Sequence, residues 1–241
     1  MLKSAFVFAI VSAFVLPQNA TQAEDKPNPV FEMFQAHYAQ RTELFRSEAA
    51  SMQSIVLLGD SITEGFNVQK WFPFRRVLNR GIGSDTIGLA PQEKDKRGVL
   101  RRLDCSVFDC CTSHVFLMIG INDLGDSRTV TQISDGYRQI LQTIHDKAPL
   151  ITVHVESLLP TRDNFARHNE PVRQINEKLR AMADQFHYPF LNLNPLMCDE
   201  KGELKKELTR DGLHINDAGY AIWKREIEKS MGWIENPVEA H

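Results

Sequence analysis

The sequence predicts a three-layer α/β domain built on a parallel sheet. Three observations predict it. Short, continuous apolar runs recur along the chain, each stopped by glycine or a polar residue, as strands buried on both faces require. Amphipathic stretches of helical period lie between them. No internal repeat, low-complexity tract or shift in composition divides the 241 residues, so one domain is expected.

The strands come in order. Residues 55–58 (Ile-Val-Leu-Leu) form the first, halted by Gly59. Residues 77–79 form a weaker one that ends at Gly81. Residues 115–119 are the strongest apolar run and stop at Gly120, and residues 151–155 and 190–193 complete the set. Helices are expected over 133–144, 172–182 and 218–229, with right-handed crossovers. Ahead of the first strand, Phe31, Phe34, Tyr38, Phe45 and Ala49 fall roughly on a helical stripe. They predict a leading helix packed on the domain, after a polar, proline-bearing linker over 25–29.

The amino terminus has a different character. Lys3, an apolar run over 5–16 and small residues at Ala20 and Ala23 make the three-part pattern of a secretory signal, with cleavage after Ala23. The apolar run is shorter than the roughly 20 residues that span a bilayer. The expected organisation is a signal over 1–23, linker and leading helix over 24–50, and the folded domain over 51–241. The protein is therefore expected to be secreted or periplasmic, with no integral membrane segment once the signal is removed.

Formal net charge is -3 and no basic stripe is present, so a nucleic-acid partner is not expected. The pairs Arg101–Arg102 and Lys205–Lys206 read as solvated faces. Four cysteines, Cys105, Cys110, Cys111 and Cys198, allow disulfides in an exported chain. A local bridge from Cys105 to Cys110 or Cys111 is one arrangement, and none of the spacings suits a zinc site.

In sheets of this kind functional groups gather beyond the carboxyl ends of the strands. Four segments there carry chemistry. Ser61 follows Gly59-Asp60 at the start of a helical turn, where its hydroxyl sits at the mouth of the sheet and its N–H favours negative charge. The alternative is that Ser61 only caps a helix. Residues 79–86 (Asn-Arg-Gly-Ile-Gly-Ser-Asp-Thr) place Gly81 and Gly83 where the backbone can turn sharply and approach a ligand. The spacing matches neither a phosphate-cradling loop nor a dinucleotide fingerprint. Gly120-Ile121-Asn122-Asp123 offers an amide donor fit for an oxyanion, or an ordinary turn. Asp211 and His214, three residues apart before the last helix, are suited to a carboxylate orienting an imidazole, or to a surface ion pair. All four segments lie at strand ends or before a helix, in one order, and chance does not readily supply that.

Taken together, Gly59-Asp60-Ser61, the turn over 81–86, Gly120-x-Asn122-Asp123 and Asp211-x-x-His214 resemble the blocks of the SGNH, or GDSL-type, hydrolase family. The resemblance covers residues 55–229, and Leu158-Leu159-Pro160 is similar to a stretch in its acetylhydrolase and carbohydrate acetylesterase branch. It implies a flavodoxin-like five-stranded parallel sheet, with residues 51–241 as the hydrolase domain. It implies Ser61 as nucleophile, His214 as base and Asp211 as its orienter. The oxyanion hole it implies comprises the N–H groups of Ser61 and Ser84 and the side chain of Asn122. The reaction would be two-step acyl transfer and would need no metal or organic cofactor. The implied substrate is a small acyl ester, an acetyl group on a carbohydrate. A lysophospholipase- or thioesterase-type lipid esterase and a catalytically silent carbohydrate-binding module are the alternatives. The sequence departs from the family at Ser84, where glycine is usual; a backbone N–H survives there, but a positive φ would strain serine. The G-x-S-x-G elbow of the larger α/β-hydrolases is absent around Ser61.

Overall fold

The structure, a computed structural model, describes residues 28–48 and 53–234, so the signal expected over 1–23 lies outside the described residues. Five parallel strands form one sheet: β1 (Ser54–Gly59), β2 (Val77–Gly81), β3 (Thr112–Met118), β4 (Thr152–Glu156) and β5 (Phe190–Leu191), in the order β2-β1-β3-β4-β5. The helices in chain order are α1 (Pro29–Ser47), α2 (Ser61–Glu64), α3 (Val68–Trp71), α4 (Leu103–Ser106), α5 (Ile121–Gly125), α6 (Val130–Lys147), α7 (Asn169–Phe186), α8 (Asn194–Met197) and α9 (Asp217–Ser230). They cover both faces of the sheet, giving the three-layer α/β/α arrangement.

The burial follows from the sequence pattern. Val56, Leu57, Leu58, Val115, Phe116, Leu117, Val153 and Val155 are inaccessible to solvent, which is why these strands read as continuous apolar runs. Helix α7 buries Val172, Ile175, Leu179, Met182 and Ala183, at spacings of three and four along one face. A reciprocal capping box of Thr129 and Gln132 opens α6, and the Asn216 side chain takes the N–H groups of Ala218 and Gly219 to open α9.

The sheet order positions the site. From β1 the chain steps to β2 on one side, then crosses to β3, β4 and β5 on the other. Gly59 lies level with Gly81 and with Met118. Three carboxyl ends are thus flush where the winding reverses, which is where a crevice opens in such sheets.

Several expectations are revised. Strand β5 ends at Leu191, because Leu193 already has helical backbone angles (φ -71°, ψ -30°) leading into α8, with Pro195 in its first turn. Helix α1 buries Tyr38, Thr42 and Phe45, whereas Phe31 and Phe34 are only half-buried. Cys105, Cys110 and Cys198 are free thiols, so the local bridge from Cys105 is not formed. Arg102 is no solvated charge. It is 1% exposed and ion-paired with a fully buried Asp85. No helix among the described residues is long and apolar enough to cross a membrane.

Candidate active site

Strand β1 delivers the chain to Asp60, which is buried and caps α2 by accepting the N–H of Ile62 at 3.0 Å. Capping is therefore the work of Asp60, and the hydroxyl of Ser61 is left for another partner. Burial pushes the Asp60 carboxyl up to about 7, against the opposing hydrogen bond from Ile62. Ser61 Oγ lies 2.9 Å from His214 Nε2, and His214 Nδ1 lies 2.7 Å from Asp211 Oδ2. The three side chains are hydrogen-bonded in series, although 153 positions separate Ser61 from His214.

The loop carrying Asp211 and His214 is tied to itself. Asp211 Oδ1 accepts the N–H groups of Leu213 at 3.0 Å and His214 at 2.8 Å. Thr209 Oγ1 donates to the His214 carbonyl at 2.7 Å and accepts the Gly212 N–H at 2.9 Å. Partial burial pushes the Asp211 carboxyl upward, but the hydrogen bonds from His214 and Leu213 outweigh it and bring the group down to about 2. A carboxylate at neutral pH can only accept, so Nδ1 must donate to it, and the Nε2 lone pair then faces the Ser61 hydroxyl.

The turn after β2 spans Ile82 to Asp85 and is closed by the Asp85 N–H on the Ile82 carbonyl at 3.1 Å. Its third residue is Ser84, with φ of 61°. Such a turn wants glycine at that position, because a Cβ there crowds the following carbonyl. Neither Gly81 nor Gly83 has positive φ. What Gly81 provides is room: a Cβ on it would lie 2.1 Å from the Glu64 nitrogen of α2. The Ser84 peptide is held on both sides. Glu64 Oε2 accepts the Gly83 N–H at 2.5 Å, and Arg97 Nη1 donates to the Ser84 carbonyl at 2.5 Å.

Beyond β3, Gly120 turns with φ of 127° and α5 begins. Asn122 Nδ2 donates to the Asp85 carbonyl at 2.9 Å, which leaves its second amide hydrogen for another acceptor. Asp123 is buried and accepts the Ile87 N–H at 3.1 Å; burial pushes its carboxyl up to about 7. Asn122 and Ser84 are thus linked through Asp85. Ile62, Ile121 and Leu213, the neighbours of Ser61, Asn122 and His214, line a cavity of about 10 Å³ together with Asp60, Met118, Leu158, Leu159, Pro160 and Thr161; the three site side chains themselves do not line it.

Sequence reasoning missed the residues that hold these loops together. Arg102 donates to Asp85 Oδ2 at 2.8 Å, to the Gly59 and Arg80 carbonyls at 2.9 Å each, and to Ser106 Oγ at 3.0 Å. It pins the ends of β1 and β2 to the turn between Ser84 and Thr86. A signal existed. Val99, Leu103, Ser106 and Val107 are buried at helical spacings around Arg102, so that stripe already placed a charge inside. Glu64 and Arg97 carried no such signal. Among the described residues no group of three or more His, Cys, Asp or Glu side chains is arranged to hold a metal ion.

Residues 57–222 match the model of the GDSL-like Lipase/Acylhydrolase family. The chain belongs to that family. Membership puts it among the carboxylic ester hydrolases. Platelet-activating factor acetylhydrolase IB subunit alpha1 of Homo sapiens is 27% identical over 172 residues, 69% of this chain and 70% of that protein. N-acylneuraminate cytidylyltransferase of Escherichia coli O18:K1:H7 is 27% identical over 183 residues, 76% of this chain but 41% of that protein, so this chain spans under half its length. A GDSL-like lipase from Bacteroides thetaiotaomicron shares the fold, with a TM-score of 0.69, 22% identity, and coverage of 82% of this chain and 98% of that one.

Proposed function

We propose that this GDSL-family protein is an exported serine esterase that removes small acyl groups, acetyl above all, from carbohydrate esters. The hydrogen-bonded series Ser61–His214–Asp211 carries the reading. In it His214 Nε2 takes the Ser61 proton as Oγ adds to the ester carbonyl, and Asp211 steadies the imidazolium that forms. The N–H groups of Ser61 and Ser84 and the free amide hydrogen of Asn122 receive the oxyanion. His214 then protonates the departing alcohol, and water, activated by the same imidazole, releases the acid.

Two observations support the finer parts. One relative is named as an acetylhydrolase, and another, of which this chain spans 41%, as an N-acylneuraminate cytidylyltransferase. Residues 1–23 read as a secretory signal, so the mature chain should begin at Glu24, which N-terminal mass mapping of the exported protein checks.

The deciding experiment measures hydrolysis of acetyl, butyryl and octanoyl p-nitrophenyl esters and of acetylated sugars by wild type and by Ser61→Ala. Acetyl esters should turn over fastest, and Ser61→Ala should be silent. Faster turnover with lengthening chain would instead favour a lipid esterase. No turnover by folded wild type, with binding of sugars retained, would favour a silent binding module.

A further inference from the structure

Helix α1 lies outside the family-matched residues 57–222, yet its polar and aromatic contacts converge on the turn that carries Ser84. Two sets of contacts from it reach the peptides flanking Ser84. His37 Nε2 sits 3.0 Å from both Glu64 oxygens and Arg41 Nε 3.3 Å from Oε1, and Glu64 in turn accepts the Gly83 N–H at 2.5 Å. The rings of Phe31 and Phe34 lie 5.2 and 5.9 Å from the Arg97 guanidinium, which donates to the Ser84 carbonyl at 2.5 Å. Arg41 Nη2 also donates to the Gly81 carbonyl at 3.0 Å, and the Tyr38 hydroxyl to the Gly98 carbonyl at 2.9 Å, so both ends of the loop are fastened as well.

Ser84 needs this. At φ of 61° a serine is in a region that its own Cβ disfavours, and an untethered turn would relax by rotating the peptide. Rotation would swing the Ser84 N–H away from the reacting carbonyl. Resting on the serine-esterase reading above, we infer that α1 is a strap that holds the Ser84 donor in place, with Glu64 and Arg97 as the positioning residues through which it acts. The strap offsets locally the presence of serine where the turn favours glycine.

The test is a cycle in the full-length enzyme. His37→Ala/Arg41→Ala is combined with Ser84 or with Ser84→Gly, and kcat and KM are measured on p-nitrophenyl acetate. With Ser84 in place, kcat falls about tenfold at nearly constant KM, a fraction of the roughly 10²–10³-fold that losing an oxyanion donor costs. In the Ser84→Gly background the same double substitution costs much less, because glycine holds the turn unaided. Equal losses in both backgrounds, or none in either, overturn the strap. Should the double variant not fold, Phe31→Leu/Phe34→Leu tests the Arg97 arm by the same cycle. Ser61→Ala separates the two ideas: if it keeps the turnover, the serine mechanism falls and the strap with it. If it is silent while the coupling is missing, only the strap falls.

Discussion

The side-chain amide of Asn122 donates to the backbone carbonyl of Asp85 at 2.9 Å. One hydrogen bond thus fixes the amide plane at the end of β3 from the turn that follows β2, and in the proposed mechanism the second amide hydrogen then meets the oxyanion without reorganisation. Preorganised donors of this kind act where charge develops in the transition state. Asn122→Ala is therefore expected to lower kcat by roughly 10²–10³-fold and to change KM little. Steady-state kinetics check this; a large rise in KM at unchanged kcat would mean that Asn122 binds ground-state substrate instead.

Asp211 stays ionised far into acid, since the hydrogen bonds it receives bring it to about 2 despite partial burial. Asp211→Asn would offer an amide hydrogen toward Nδ1 and invert the imidazole tautomer, leaving a proton on the nitrogen that must accept from Ser61. Turnover should drop by up to about 10⁴-fold with the fold intact. Activity within tenfold of wild type would show that His214 does not depend on Asp211 for its orientation.

Arg102 and Asp85 form an ion pair with no solvent exposure on either side chain. Arg102→Met strands a carboxylate in the core and removes one donor from each of the Gly59 and Arg80 carbonyls. Breaking such a pair from one side costs about 3–5 kcal/mol. Denaturant unfolding should show that loss for Arg102→Met and a partial recovery for Arg102→Met/Asp85→Asn. A loss under 1 kcal/mol would argue that the pair is dispensable.

Stability should also fall as pH rises from about 6.5 to 8. Burial pushes Glu156 up to about 8, and Asp60 and Asp123 up to about 7, each above its unfolded value. Groups raised in this way bind more protons folded than unfolded, so their contribution is complete in acid and is lost as pH climbs through the folded value. His154 opposes them: burial and the neighbouring His114 bring it down to about 3, so its contribution is lost as pH falls from about 6.5 toward 3. The clean window is pH 6.5–8, where the histidine contribution is complete and the carboxyls still titrate. Melting temperature should decline across that window. Glu156→Gln, which can keep the bond from Trp223 Nε1, should flatten the decline by up to about 1.4 kcal/mol per pH unit. An unchanged slope would mean that Glu156 does not titrate there.

Particular residues show how far the sequence could be read. The runs at 55–58, 115–119 and 151–155 announced β1, β3 and β4 because a strand covered on both faces has no room for polar side chains. Residues 190–193 were over-read, since Pro195 starts α8 and draws Leu193 out of the strand. Arg102 was misread beside Arg101, because paired charges are usually solvated and only its apolar neighbours argued otherwise. Glu64 and His37, 27 positions apart, gave no sign of their contact. The cysteines fixed nothing about pairing; that needed distances.

By itself the sequence determined the succession of strands and helices, and it set Ser61, Asn122, Asp211 and His214 where a parallel sheet gathers chemistry. Periodicity and chain-breaking residues are local, and a sequence displays local information directly. Only the tertiary structure decided that Asp60 rather than Ser61 caps α2, that Ser84 takes a left-handed conformation, and that Arg102 and α1 make hydrogen bonds to the segment holding it, at Asp85 and Gly81. Those outcomes depend on hydrogen bonds between segments brought together by the order β2-β1-β3-β4-β5, and no local pattern encodes such a meeting.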